Sequence, residues 1–320
     1  MTSRSGLKLF LLVLLAATFV AFSTWFFRDA RKLDVGEAGP TSVLKIETAI
    51  HKDLVENSVA ITSVSQPGII FGFNDSGNEP RIFAFDSSGR GRGNWKVVDA
   101  RNRDWEAGGL GPCRQGGSWC LYIGDVGDNE ARRPSVTVYR VKEPVIADWT
   151  DAGAVEVADT LNIRYSDHPH DVEAMYVGAD GSMFFITKRR LLDDQQKPRP
   201  ALIFTVPSSF WDSSGTVMAK LVDSLPIVPG ERQGGQISDA ALASNGKHLA
   251  VRTYDDIYIF EMDSVTQLPK SGQVPVPCTI RHLREDQGEG IAWWWDQRRL
   301  VLTSERRNAP LYVIECPTPG

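Results

Sequence analysis

From residue 43 onward the apolar positions come in short runs, rich in β-branched and aromatic side chains and bounded by Gly, Asp, Asn or Pro. This is strand chemistry, and sustained helical periodicity is absent over the same stretch. The runs recur as a unit: an inner strand of small residues, a strand ending in a polar cluster, a strand of the I-F-A-F type and a more variable fourth strand. The first unit reads 58–64, 69–77, 81–86 and 95–99; the second 104–110, 121–129, 136–141 and 158–165; the third 171–177, 183–189, 201–206 and 219–225. A fourth reads 237–243, 248–254, 257–262 and 278–283, and a fifth has only three runs, 288–294, 300–306 and 310–316.

Repeats of about 40–50 residues with four strands each predict an all-β fold, a β-propeller in which each blade buries its faces only against its neighbours. Five four-stranded blades are expected, and six stay open if the stretch 141–157 conceals further strands. The segment V-L-K-I-E-T-A (43–49) is placed to supply the missing strand of the last blade, closing the ring and removing two open sheet edges. The organisation expected is residues 1–32 as a signal segment, 33–42 as a linker, 43–316 as the propeller and 317–320 as a tail.

The N-terminus breaks the pattern. Leu9 to Phe27 is free of charge and flanked by Arg4, Lys8, Arg28, Arg31 and Lys32, long enough to span a bilayer. The bulky Trp25, Phe26 and Phe27 suit an interfacial belt better than a cleavage site, so an uncleaved transmembrane anchor is preferred to a cleaved signal peptide. Four cysteines, read as Cys113 with Cys120 and Cys278 with Cys316, lack zinc spacing and are disulfide candidates. Together these features predict a membrane-anchored domain in the periplasm or outside the cell, or a secreted one if the N-terminus is cut. Without residues 1–32 the chain carries 30 basic and 39 acidic residues, a balance that argues against non-specific nucleic-acid binding. An anionic small molecule is a compatible ligand. The sequence names no protein partner.

Asp-x-Glu-Ala occurs twice, at 104–107 and 171–174, each time opening an apolar run. In a propeller the inner strands line the axis, so Glu106, Glu173, Asp239 and Glu289 are expected to form a ring at one mouth, with Asn57 and Ser58 completing it. Carboxylates crowded in a shielded channel either protonate or share a cation. Oxygen ligands alone suit Ca²⁺, with Mg²⁺ as the alternative. The competing expectation is that these acids accept hydrogen bonds from inner-strand amides. Ends of the second strands add Asn74, Asp75, Asp125, Asp128, Asn129, Lys188, Arg252 and Glu305 to the same mouth. Of these, Asp125, Lys188 and Arg252 are candidate catalytic residues, joined by His170 of S-D-H-P-H-D-V-E (166–173), an imidazole placed to act as general acid or base. G-x-S-x-G, Walker and H-E-x-x-H motifs do not occur.

The set F-N-D-S-G-N, D-W-E-A, C-L-Y-I-G-D-V-G-D-N, D-V-E-A, I-S-D-A-A-L and G-E-G-I-A-W resembles exported bacterial propeller proteins related to the phytase-like and esterase-like propellers. The resemblance covers most of residues 43–316. It implies calcium at an acidic mouth, with Glu106, Glu173 and Glu289 as ligands, Lys188 or Arg252 facing an anion, and hydrolysis of an ester, a phosphoester first, by metal-activated water. Phytase propellers have six blades, against the five read here; five-bladed calcium-dependent nucleotidases offer a second, looser analogy. A non-catalytic module binding a ligand or protein is the alternative, because fold does not fix chemistry.

Overall fold

A computed structural model of the chain describes residues 39–318 except 115, 147–149 and 231. Alternation and turn residues build antiparallel meanders as read. Trp105–Pro112, Trp119–Asp125, Val136–Lys142 and Thr150–Tyr165 pair in sequence order. So do Val172–Val177, Met183–Thr187, Leu202–Val206 and Thr216–Ser224. Ile61–Thr62, Ile69–Gly72, Arg81–Asp86 and Gly91–Val98 form the set before them. Ile237–Leu242, His248–Thr253, Asp256–Glu261 and the short Cys278–Thr279 form the set after.

The last set, Gly288–Trp293, Leu300–Ser304 and Leu311–Glu315, takes its outer strand from Ser42–Ile46, which runs antiparallel to Leu311–Glu315 with Leu44 opposite Val313. The inner strands neighbour one another in cyclic order, the last set returning to the first. Between each adjacent pair of sets lies an apolar layer. Phe71, Phe73, Trp95, Trp105 and Ile123 fill the layer between the first and second, and Ile70, Phe85, Val301 and Val313 the one between the fifth and the first. A ring of four-stranded sheets packed face to face is a β-propeller.

The stretch 141–157 holds no separate sheet among the described residues. Its second half is the start of the long strand Thr150–Tyr165, whose leading part pairs in parallel with Gly91–Val98 and whose end pairs in parallel with Thr216–Ser224. The outer strand of the second set thus also covers the outer edges of the first and third, leaving fewer unpaired backbone groups exposed. Residues 281–283, expected in a strand, form a 3₁₀ turn, and Leu191–Leu192 with Pro198–Arg199 form a small extra hairpin.

Cys113 and Cys120 are disulfide-bonded across the hairpin of the second set, Cα atoms 5.1 Å apart. Cys278 and Cys316 are bonded at 5.9 Å, tying the outer strand of the fourth set to the end of the fifth. The apolar segment 9–27 lies outside the described residues. Among those described, no helix is long and apolar enough to cross a membrane.

Candidate functional site

The carboxylates reach the axis because of a repeated irregularity. In the second set Trp105 pairs with Asp125 and Ala107 with Gly124, so Glu106 is left over. The same skip leaves Glu173 between Val172 and Ala174, and Glu289 between Gly288 and Gly290. A bulge of this kind inserts an unpaired residue and re-aims its side chain. Glu106, Glu173 and Glu289 therefore line a cavity of about 360 Å³ at one mouth, together with Asp75, Glu305, Lys188, Arg189, Asn129, Gln236, Tyr254 and Gln287.

Charge in this cavity is one-sided. Burial, with the charges of Glu173 and Glu289 adding to it, holds Glu106 well above the usual carboxylate range. Burial also raises Glu173, although the Lys188 ammonium beside it pulls the other way. Burial disfavours a charged Lys188, but its ion pair with Glu173 outweighs that and leaves its pKa raised. The second carboxylate oxygen of Glu173 has no hydrogen-bond partner among the described residues. Arg189 is committed elsewhere, its Nε donating to Asp171 at 2.5 Å.

Nearer the rim, Asp75 is pushed up to about 7 by burial and by Glu56 and Glu305. Glu305 reaches about 7 through burial and through Glu289 and Glu56. Tyr254 donates to Glu289 at 2.8 Å, and the Gln287 amide donates to Glu289 and to Glu305, each at 2.7 Å. The donors are carboxylate, amide and phenol oxygens without sulfur or imidazole, and with the unpartnered oxygen of Glu173 they suit a hard cation.

Lys188 is the only one of the four catalytic candidates on this cavity. Asp125 is buried in a pair with Arg133 at 2.7 Å and accepts the Arg103 amide. Arg252 does not face an anion at the mouth: fully buried, it donates to the carbonyls of Gly290 at 2.7 Å and Thr303 at 3.1 Å and pairs with Glu285. His170 is packed away from the mouth against Tyr165 and Phe204, its Nε2 bound to Asp167 at 3.0 Å. Its pKa is lowered by that burial, with Asp167 opposing.

Asp239 also leaves the ring. Its carboxylate accepts the backbone N–H groups of Ala240 at 2.7 Å and Ile291 at 2.8 Å, the role of a structural acceptor between inner strands. In the fourth set the bulge falls between Ile237 and Asp239, so Ser238 is the counterpart of Glu106, Glu173 and Glu289. A slip of one residue reverses the face of a strand. The same shift makes Tyr254, which follows Thr253, the counterpart of Lys188 and Glu305 in place of Arg252. Gln236 and Gln287, which precede two of the inner strands, escaped the sequence reading; their position just ahead of a bulge was the available signal.

No protein-family model matches the chain, and no curated protein matches it. Among solved structures it is similar to glutaminyl cyclase from Myxococcus xanthus, at 11% identity and a TM-score of 0.44 over 85% of this chain and 94% of that one. A calcium structure of a Trichoderma reesei carbohydrate-active enzyme of family AA12 matches at 10% identity and 0.44, over 89% and 99%. The gluconolactonase XC5397 from Xanthomonas campestris matches at 12% identity and 0.39, over 86% and 89%.

Proposed function

We propose that this five-bladed propeller binds a divalent cation, Ca²⁺ before Mg²⁺, at its acidic mouth and hydrolyses an anionic ester, a phosphoester first. The observation that carries this reading is the gathering of Asp75, Glu106, Glu173, Glu289 and Glu305 on one cavity whose cations are Lys188 and the already committed Arg189. Crowded carboxylates of this kind bind protons or a cation to relieve their repulsion. Glu106, Glu173 and Glu289 would hold the ion, as the phytase-like resemblance implies.

A divalent ion held there would polarise a phosphoryl oxygen and lower the pKa of its bound water. Asp75 and Glu305 stand on the same cavity, their carboxyls raised by burial and by the neighbouring acids. One of them takes the proton of the attacking water, the other protonates the leaving oxygen as its ester bond breaks, and Lys188 steadies the anionic group.

Two disulfides support an oxidising compartment, so we place the propeller outside the cytoplasm, with residues 9–27 as its membrane anchor. A non-catalytic cation-dependent binding module is the second reading, favoured by the engagement of Asp125, Arg252 and His170 away from the mouth. Elemental analysis of the purified chain, followed by an ester panel with Ca²⁺, Mg²⁺ or Mn²⁺, separates the two. Stoichiometric calcium or magnesium with turnover supports the hydrolase; either ion without turnover of any ester leaves the binding module. No ion, and no thermal shift when calcium is added, defeats both.

A further inference from the structure

A second constellation lies apart from the mouth, on the loop between the long strand ending at Tyr165 and the inner strand starting at Val172. Asp167, His168 and His170 each bring one ligand atom within 4.8 Å of the others. His170 Nε2 stands 3.0 and 3.1 Å from the two carboxylate oxygens of Asp167. His168 Nε2 stands 3.7 Å from the same carboxylate.

The tautomer of His168 is set by its own backbone. Its Nδ1 lies 2.9 Å from the carbonyl oxygen of Pro169, and a carbonyl can only accept, so Nδ1 carries the hydrogen. In the neutral ring Nε2 then offers a lone pair, and it faces the lone pairs of Asp167. Two acceptors that converge there need a proton or a metal ion between them. A backbone carbonyl holding the far nitrogen of an imidazole is also the usual support behind a metal-ligating histidine.

We propose that Asp167, His168 and His170 bind a borderline first-row divalent ion of the zinc class, distinct from the hard cation at the mouth. Two imidazoles and one carboxylate suit such an ion, and tetrahedral coordination at about 2.0–2.1 Å spaces donor atoms by about 3.4 Å, against 3.0–3.7 Å between the Asp167 carboxylate and the two rings. The ion replaces the proton between His170 Nε2 and Asp167, the imidazole carrying its hydrogen on Nδ1 instead. His170 is buried and wedged by Tyr165 and Phe204, which fixes one ligand in advance, while exposed His168 and Asp167 leave the fourth position to water.

The test is a Co²⁺ titration of the purified full chain, read by the visible absorption of tetrahedral cobalt, with Zn²⁺ as competitor. The expected result is a one-equivalent band that Zn²⁺ displaces and excess Ca²⁺ does not, lost in His168→Ala and in Asp167→Asn. His168 is exposed, so the variant keeps its fold, which the unfolding curve verifies. Glu289→Gln, altered at the mouth, is expected to keep the band. No band in the wild type, or a band unchanged in His168→Ala, overturns the proposal and leaves a hydrogen-bonded His–Asp cluster. A band lost in Glu289→Gln but kept in His168→Ala assigns the ion to the mouth and overturns it equally.

Discussion

The carboxylate of Asp239 in the fourth set accepts the backbone N–H of Ile291 in the fifth at 2.8 Å, so one acid joins two neighbouring inner strands. Removing it leaves buried amides without a partner. Asp239→Ala is expected to cost about 3 kcal/mol, on the scale of orphaning buried donors. Urea unfolding measures this, and a loss under about 1 kcal/mol would show that Asp239 is not the structural acceptor described.

Lys188 and Glu173 form a buried pair, and breaking one member of such a pair is costly because the other charge stays behind. Lys188→Met is expected to destabilise the protein by roughly 3 kcal/mol at pH 7.5. Adding Glu173→Gln should restore most of the loss. If the double variant is as unstable as the single one, Lys188 acts through packing and not through Glu173.

The raised carboxyls of Asp75 and Glu305 give a pH dependence of definite sign. Near pH 5–6 the folded protein holds protons that the unfolded chain has released, so this contribution is full below about pH 4 and fades as pH rises to about 7. The melting temperature of wild type relative to the double variant Asp75→Asn/Glu305→Gln should therefore fall between pH 4 and 7. Calcium should flatten that fall by stabilising the ionised forms. A difference that is constant with pH would rule out raised carboxyls at the rim.

The two disulfides should contribute unequally. Cys278–Cys316 spans 38 residues and Cys113–Cys120 spans seven. Chain-entropy arguments give roughly 4 kcal/mol for the longer and roughly 2 kcal/mol for the shorter. Paired Cys→Ser variants compared by denaturant midpoint should rank in that order.

The repeat was legible because Gly, Asp and Asn punctuate nearly every strand, and Ser42–Ile46 was placed by counting the strand the last set lacked. The acids at Glu106, Glu173 and Glu289 could also be found, since each opens an inner strand. What the residues did not disclose was the bulge. D-W-E-A and I-S-D-A align by eye on their acids, yet the bulge residue of the second is Ser238. From that one-residue slip follow both the misplaced Asp239 and the expectation of Arg252 at the mouth. His170 was read from its place in the chain, which says nothing of the rings of Tyr165 and Phe204 that enclose it. The opening of the long strand, 150–157, reads as a loop because of its Ala, Gly and Asp, and the strand it does conceal extends the second set instead of making a sixth.

The pairing of Ser42–Ile46 with Leu311–Glu315 also has a meaning for biosynthesis. Ser42–Ile46 must wait for a partner made about 270 residues later. At ordinary elongation rates that is roughly 15–50 s with its backbone groups unpaired. Throughout that interval the nascent chain exposes the edges that the closed ring later hides.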